Sequence, residues 1–194
     1  GGVNGRPWES IGGAGREYLR MLVSQILEGR HVIAMENPTY KQAYRVFQSR
    51  GYEVCPVEMD ANGMEPELLA ECGANVAYVM PSHQFPTGIV MPVGRRQELL
   101  KWSPAAPDRS IIQAYFDSEF RYRGKPIPSL QSSDDRGKVI YIGTFSKAIA
   151  PAIRVSYMVL PETLLEVYRR DCSFYSCTVS RIDQRILNEF IRDG

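Results

Sequence analysis

Val139-Ile140-Tyr141-Ile142-Gly143-Thr144-Phe145-Ser146-Lys147, continued by Ala148 to Tyr157, is the stretch on which the reading of this chain turns. Its apolar, β-prone start predicts a short strand over 138–142, and Gly143 predicts a sharp turn directly after it. That turn would deliver Thr144, Ser146, Lys147 and Arg154 to the carboxyl edge of a sheet, where open α/β sheets bind ligands. Two hydroxyls and a guanidinium suit phosphate oxygens, and a lysine amine can form a Schiff base, so the set suits a phosphorylated aldehyde. Taken alone, a Ser-Lys pair also fits a buried strand followed by a loop with a solvated lysine.

Outward from this stretch, helical and strand-like periods alternate, which predicts a mostly parallel sheet covered by helices. Strands are expected over 31–35, 52–57, 75–80, 110–116 and 153–160. Helices are expected over 16–28, from Pro38 to about residue 50, over 66–71 and over 94–102, with a further helical run at Ile182, Ile186 and Phe190. A chain of 194 residues, 44% hydrophobic, can build one sizeable core. We therefore expect residues 1–194 to form a single three-layer α/β/α domain.

Composition excludes some partners. A formal net charge of +1, from 23 basic and 22 acidic residues, leaves no electrostatic footprint for nucleic acid or an anionic membrane. No apolar run is long enough to span a bilayer and no signal-peptide pattern opens the chain, so a cytoplasmic protein is expected. Cys55, Cys72, Cys172 and Cys177 contain no CxxC spacing, and only His31 and His83 could join them as metal ligands. Reduced thiols, with Cys55 in a strand core, are expected rather than a zinc site.

Three further strings carry chemistry. Gly12-Gly13-Ala14-Gly15-Arg16-Glu17 precedes a helix, so its free N–H groups could cradle a phosphate or simply make a tight turn. Glu36-Asn37-Pro38-Thr39-Tyr40 ends a strand with an aromatic ring that could stack on a flat heterocycle or belong to the core. Pro81-Ser82-His83-Gln84-Phe85-Pro86-Thr87-Gly88 follows another strand, and His83 there could serve a ligand or the turn itself.

Together these strings resemble the MocR-type branch of the GntR transcription regulators, in which a DNA-binding module is joined to an aminotransferase-like domain of the fold-type I pyridoxal 5'-phosphate (PLP) proteins. The lysine motif, the SHQ-x-PTG run and Asp117 to Tyr122, which matches the family's DSEFRY without a gap, carry the likeness over most of the chain. The resemblance implies a PLP-transferase large domain in which Lys147 is the catalytic lysine that holds the cofactor as a Schiff base. It assigns the phosphate to Thr144, Ser146, Arg154 and the Gly15, Arg16, Glu17 loop, although Gly15-Arg16 stands where relatives carry a Gly-Thr or similar pair. Tyr40 would cover the ring, and His83 or Gln84 would supply polar contact.

The same resemblance exposes three departures. Phe85 stands where general aminotransferases have an asparagine that donates to the phenolic oxygen. Ala114 falls at the aspartate that keeps the pyridine nitrogen protonated, and Phe116 at the tyrosine that donates to the phenolic oxygen. PLP is an electron sink only when its ring nitrogen is held positive. An effector-sensing domain is therefore expected ahead of a working amino-acid aminotransferase, or of a dimerisation scaffold that has lost PLP. A small amino compound would be the effector and a homodimer the full-length state. DNA would be bound only through a winged-helix domain before residue 1, and a smaller domain would follow residue 194.

Overall fold

The computed structural model of the chain describes residues 10–13, 27, 29, 31–116, 130, 134–145 and 155–171. Its sheet has eight strands in the order β1 (Ser10–Gly13), β8 (Val155–Val159), β7 (Val139–Phe145), β6 (Ser110–Phe116), β5 (Val76–Val79), β2 (Val32–Asn37), β3 (Glu53–Asp60) and β4 (Gly63–Met64). From β7 to β3 the neighbours run parallel. Strand β8 is antiparallel to β7, β1 to β8, and β4 to β3.

Apolar alternation explains how this sheet is covered. Along β2, Ile33 and Met35 join one buried layer and Ala34 the other, as the two-residue period of a strand requires. Helix α1 (Lys41–Ser49) buries Ala43, Val46 and Phe47 in the first layer, together with Leu164 and Leu165 of α4 (Glu162–Asp171). Leu69 of α2 (Pro66–Glu71), with Leu99 and Trp102 of α3 (Val93–Trp102), builds the second. All four residues of β5 are buried, the pattern of a parallel strand covered on both faces. The outcome is the three-layer arrangement expected from the sequence.

Local differences have local causes. Gly143 makes no turn: it pairs with Tyr115 on one side and Tyr157 on the other, and β7 continues to Phe145. Gly12 and Gly13 likewise lie in a strand, opposite Tyr157 and Ser156, so at most the residues after them remain for a phosphate loop. Pro38 does not open α1, because the chain stays extended through Tyr40 (φ −70, ψ 112), the residue that caps the helix. Helix α4 lies beyond the expected elements, and its signal was the spacing of Leu164, Leu165 and Tyr168. The helix expected over 16–28 falls almost wholly outside the described residues, as does all of the run at Ile182, Ile186 and Phe190.

Cys55 is half-buried on β3 rather than in its core, and it and Cys72 are unbridged. Burial, then the neighbouring Cys72, pushes the Cys55 thiol up to about 11.

One polar staple closes the β3–β4 hairpin onto α3. Arg95 donates to both carboxylate oxygens of Asp60, at 2.8 and 2.6 Å, and to the carbonyls of Gly63 and Met64, each at 3.1 Å. These bonds hold the Asp60 carboxyl below its ordinary range. Arg95→Ala is expected to cost about 1 kcal/mol and lower Tm by about 3 °C, read by thermal melts. An unchanged Tm would show that water replaces the guanidinium without loss.

Candidate functional site

Four neighbouring parallel strands, β7, β6, β5 and β2, end at one edge of the sheet. The chain leaves β2 for β3 on one side, then returns to β5 on the other. A crevice at such a reversal is the usual ligand position in open α/β sheets. Four of the strings singled out above come, in sequence, after strands that end there. Tyr40 follows β2, His83 to Gly88 follows β5, and Asp117 to Tyr122 follows β6. Ser146 and Lys147 follow β7 directly.

The described part of this edge is aromatic. Tyr40 and Phe85 meet edge to face, with centroids 5.9 Å apart and planes at 85°. Phe85 is 54% exposed, so its ring borders solvent rather than filling the core. His83 is half-buried beside Gly88, whose φ of +76° places it in the left-handed region. A Cβ added there would meet His83 Cε1 at 3.6 Å, so the glycine is required by backbone conformation more than by space.

Behind the aromatic pair lies a polar hub that the sequence reading missed. Glu36 is 1% exposed, and its carboxylate accepts the Met80 N–H at 3.0 Å. Burial pushes the Glu36 carboxyl up to about 7, although the Met80 N–H and the Gln84 side chain both favour its charged form. Gln84, also 1% exposed, donates from Nε2 to the Pro38 carbonyl at 2.8 Å and accepts at Oε1 from the N–H and hydroxyl of Thr87. Its side chain is thus committed within the protein, which removes it from the candidates for cofactor contact. The available signal was an acid near the end of one strand-like run and an amide in the loop after another.

Ala114 on β6 is 2% exposed and belongs to the apolar layer that also holds Tyr78 and Ile142. It is paired with Ile142 in the strand register, while Phe116 is paired with Thr144. No carboxylate therefore stands at position 114, and the surroundings of that position are apolar. For PLP, the fit divides in two. Aromatic cover of the kind given by Tyr40 and Phe85 suits a flat ring, but position 114, where the resemblance expects the acid that would keep a pyridine nitrogen charged, carries none. Gly15, Arg16, Glu17, Ser146, Lys147 and Arg154 lie outside the described residues, and of Thr144 only the backbone is described.

Other features do not add a second centre. Among the described residues no group of three or more acidic, histidine or cysteine side chains could hold a metal ion. Among the same residues no helix is long and apolar enough to cross a membrane.

Comparisons with known proteins agree with this architecture. The family model for aminotransferase class I and II matches residues 10–194. The uncharacterized HTH-type transcriptional regulator YdeL of Bacillus subtilis is 42% identical over 194 residues, covering 100% of this chain and 42% of that protein. The probable rhizopine catabolism regulatory protein MocR of Rhizobium meliloti is 31% identical over 176 residues, covering 91% and 36%. This chain thus spans less than half the length of these relatives. Among solved structures, the multiple substrate aminotransferase of Thermococcus profundus superposes with a TM-score of 0.81 at 28% identity, over 99% of this chain and 50% of that one. Sheet order, the strand-end motifs and a family match over nearly the whole chain lead to one conclusion: the chain belongs to the aminotransferase class I and II family.

Proposed function

We propose that this chain is the PLP-binding, effector-sensing aminotransferase-like domain of a MocR-type transcription regulator. The observation that carries the proposal is the split character of the site. In sequence the lysine motif runs on from β7, while the position at which the resemblance expects the ring-activating acid is a buried alanine in an apolar layer. PLP, when bound, supplies an aldehyde that condenses with amines and, only if its ring nitrogen is charged, an electron sink. Lys147 would anchor it, with Ser146, Thr144, Arg154 and the Gly15, Arg16, Glu17 loop holding the phosphate. Tyr40 would cover the ring and His83 would lie beside it. Ala114 offers no charge to the ring nitrogen, so binding is favoured over turnover.

Relatives described as HTH-type transcriptional regulators, and more than twice as long, support the regulatory half of this reading. Binding without turnover is sufficient for such a role, because a ligand shifts a conformational equilibrium only through its different affinity for the two states. DNA would be contacted by a separate N-terminal domain, and the regulator would act as a cytoplasmic homodimer responding to a small amino compound.

The test is a visible absorbance titration of the full-length protein with PLP, beside Lys147→Ala. A saturable band in the wild type that is lost in the variant is expected, with borohydride reduction fixing PLP on the Lys147 peptide. No band in either folded protein would replace this reading with a scaffold. Sustained turnover of an amino donor and a keto acid, abolished by Lys147→Ala, would replace it with an aminotransferase.

A further inference from the structure

We propose that Gln84 is the positioning residue of this site: without touching the ligand, it joins the two loops that carry Tyr40 and Phe85 and so sets the geometry of the aromatic pair. The loops leave β2 and β5 where the chain reverses direction across the sheet, and the Gln84 side chain bridges them over 46 residues of sequence. On one side it holds the Pro38 carbonyl, two residues before Tyr40. On the other it holds Thr87, two residues after Phe85.

The backbone of Gln84 is equally committed. Its N–H donates to the Ile89 carbonyl at 2.9 Å, and its carbonyl accepts from the Gly88 N–H at 2.6 Å. The second loop is therefore folded around the residue that reaches into the first. Glu36, also buried, accepts the N–H of Met80, the residue directly after β5, and so ties the bases of the same two loops. Residues that orient contacting groups in this way govern affinity without making the contact themselves.

The chemistry of the side chain makes the assignment specific. The Pro38 carbonyl needs a donor and the Thr87 N–H and hydroxyl need an acceptor, and an amide supplies both from one planar group. Leucine supplies neither. An ionised glutamate keeps the acceptor but loses the donor and stands beside Glu36, whereas a protonated glutamate regains one O–H donor. Tyr40 and His83 are the other titratable groups on these loops, Tyr78 is buried on β5, and all are unchanged in the variants.

The ligand arm of the test rests on the proposed PLP binding, and a second arm does not. In the full-length protein, Gln84→Leu is expected to weaken PLP about tenfold at every pH, measured cold on folded protein. Gln84→Glu should bind like the wild type near about pH 5.5 and about tenfold more weakly near about pH 8. A role confined to overall stability would lower Tm without this pH-dependent recovery. In parallel, 4-fluorophenylalanine at position 85 reports the pair by ¹⁹F NMR without ligand, and its resonance should move in Gln84→Leu and, above neutral pH, in Gln84→Glu.

Unchanged affinity ratios and unchanged resonances in folded variants would overturn the proposal. If the wild type binds no PLP, the functional reading fails alone, and the ¹⁹F arm still decides: a moved resonance upholds the positioning role and an unmoved one ends it. If Gln84→Leu does not fold, Gln84→Glu across pH gives the same decision from a single protein.

Discussion

Ala114→Asp in the full-length protein is expected to tighten PLP binding on the order of a hundredfold, or about 3 kcal/mol, while lowering the Tm of the ligand-free protein. Both effects come from one feature, the apolar layer around position 114. Ala114 is 2% exposed, with Tyr78 and Ile142 in the same layer. A carboxylate placed there without a partner has lost its hydration and gained nothing, which costs several kcal/mol or forces it to protonate. A pyridine nitrogen within reach supplies the missing partner, so the penalty in the free protein becomes an attraction in the bound one.

The opposite signs make the experiment decisive. Ala114→Asn adds similar bulk without charge, so it should lower Tm less and tighten PLP little. Ala114→Asp that melts earlier alone but gains a larger Tm increment from PLP would place position 114 against the ring nitrogen. A folded variant with wild-type affinity would show that the position faces elsewhere, and the case against turnover would lose its main support. Adding Phe116→Tyr should tighten binding further by restoring a donor for the phenolic oxygen.

What the sequence disclosed, and what it hid, follows from the range of the interactions. Val76–Val79 and Ser110–Phe116 were legible because buried parallel strands are continuous apolar runs bounded by polar and glycine punctuation. The motifs at their ends could be placed on one sheet edge for the same reason. By contrast, β1 is four residues long with two glycines, and only its pairing with β8 makes it a strand. Gly143 shows the converse: a residue that reads locally as a turn is held straight by ladders on both sides.

The hub was hidden for a related reason. Glu36 is a polar residue near the end of β2 and Gln84 one in the loop after β5, positions that local composition reads as exposed. Their burial is decided by hydrogen bonds to Met80 and Pro38 across 44 and 46 residues. No periodicity reports such a contact. The departure expected at position 114 rests on the uninterrupted match from Asp117 to Tyr122, which aligns that position with the resembled family. The structure adds that an apolar layer closes around it.

Glu36 also gives the protein a pH-dependent stability that a single substitution should remove. Burial raises its carboxyl from 4.5 to about 7, so between those values the folded state binds a proton that the unfolded chain has released. Stability from this group is complete below the unfolded value, falls as pH rises through about 7, and is level above it. The difference corresponds to about 3 kcal/mol between acid and alkaline conditions.

Glu36→Gln keeps an acceptor for the Met80 N–H and has no proton to lose. Its stability should therefore be nearly flat over the same range, and above neutral pH the variant should melt higher than the wild type. Chemical denaturation at a series of pH values measures the two slopes directly. Parallel profiles would mean that solvent reaches Glu36 and that its carboxyl titrates as an ordinary surface acid. A variant whose profile flattens but whose overall stability falls would mean that the charged carboxylate contributes more through Met80 and Gln84 than its burial costs.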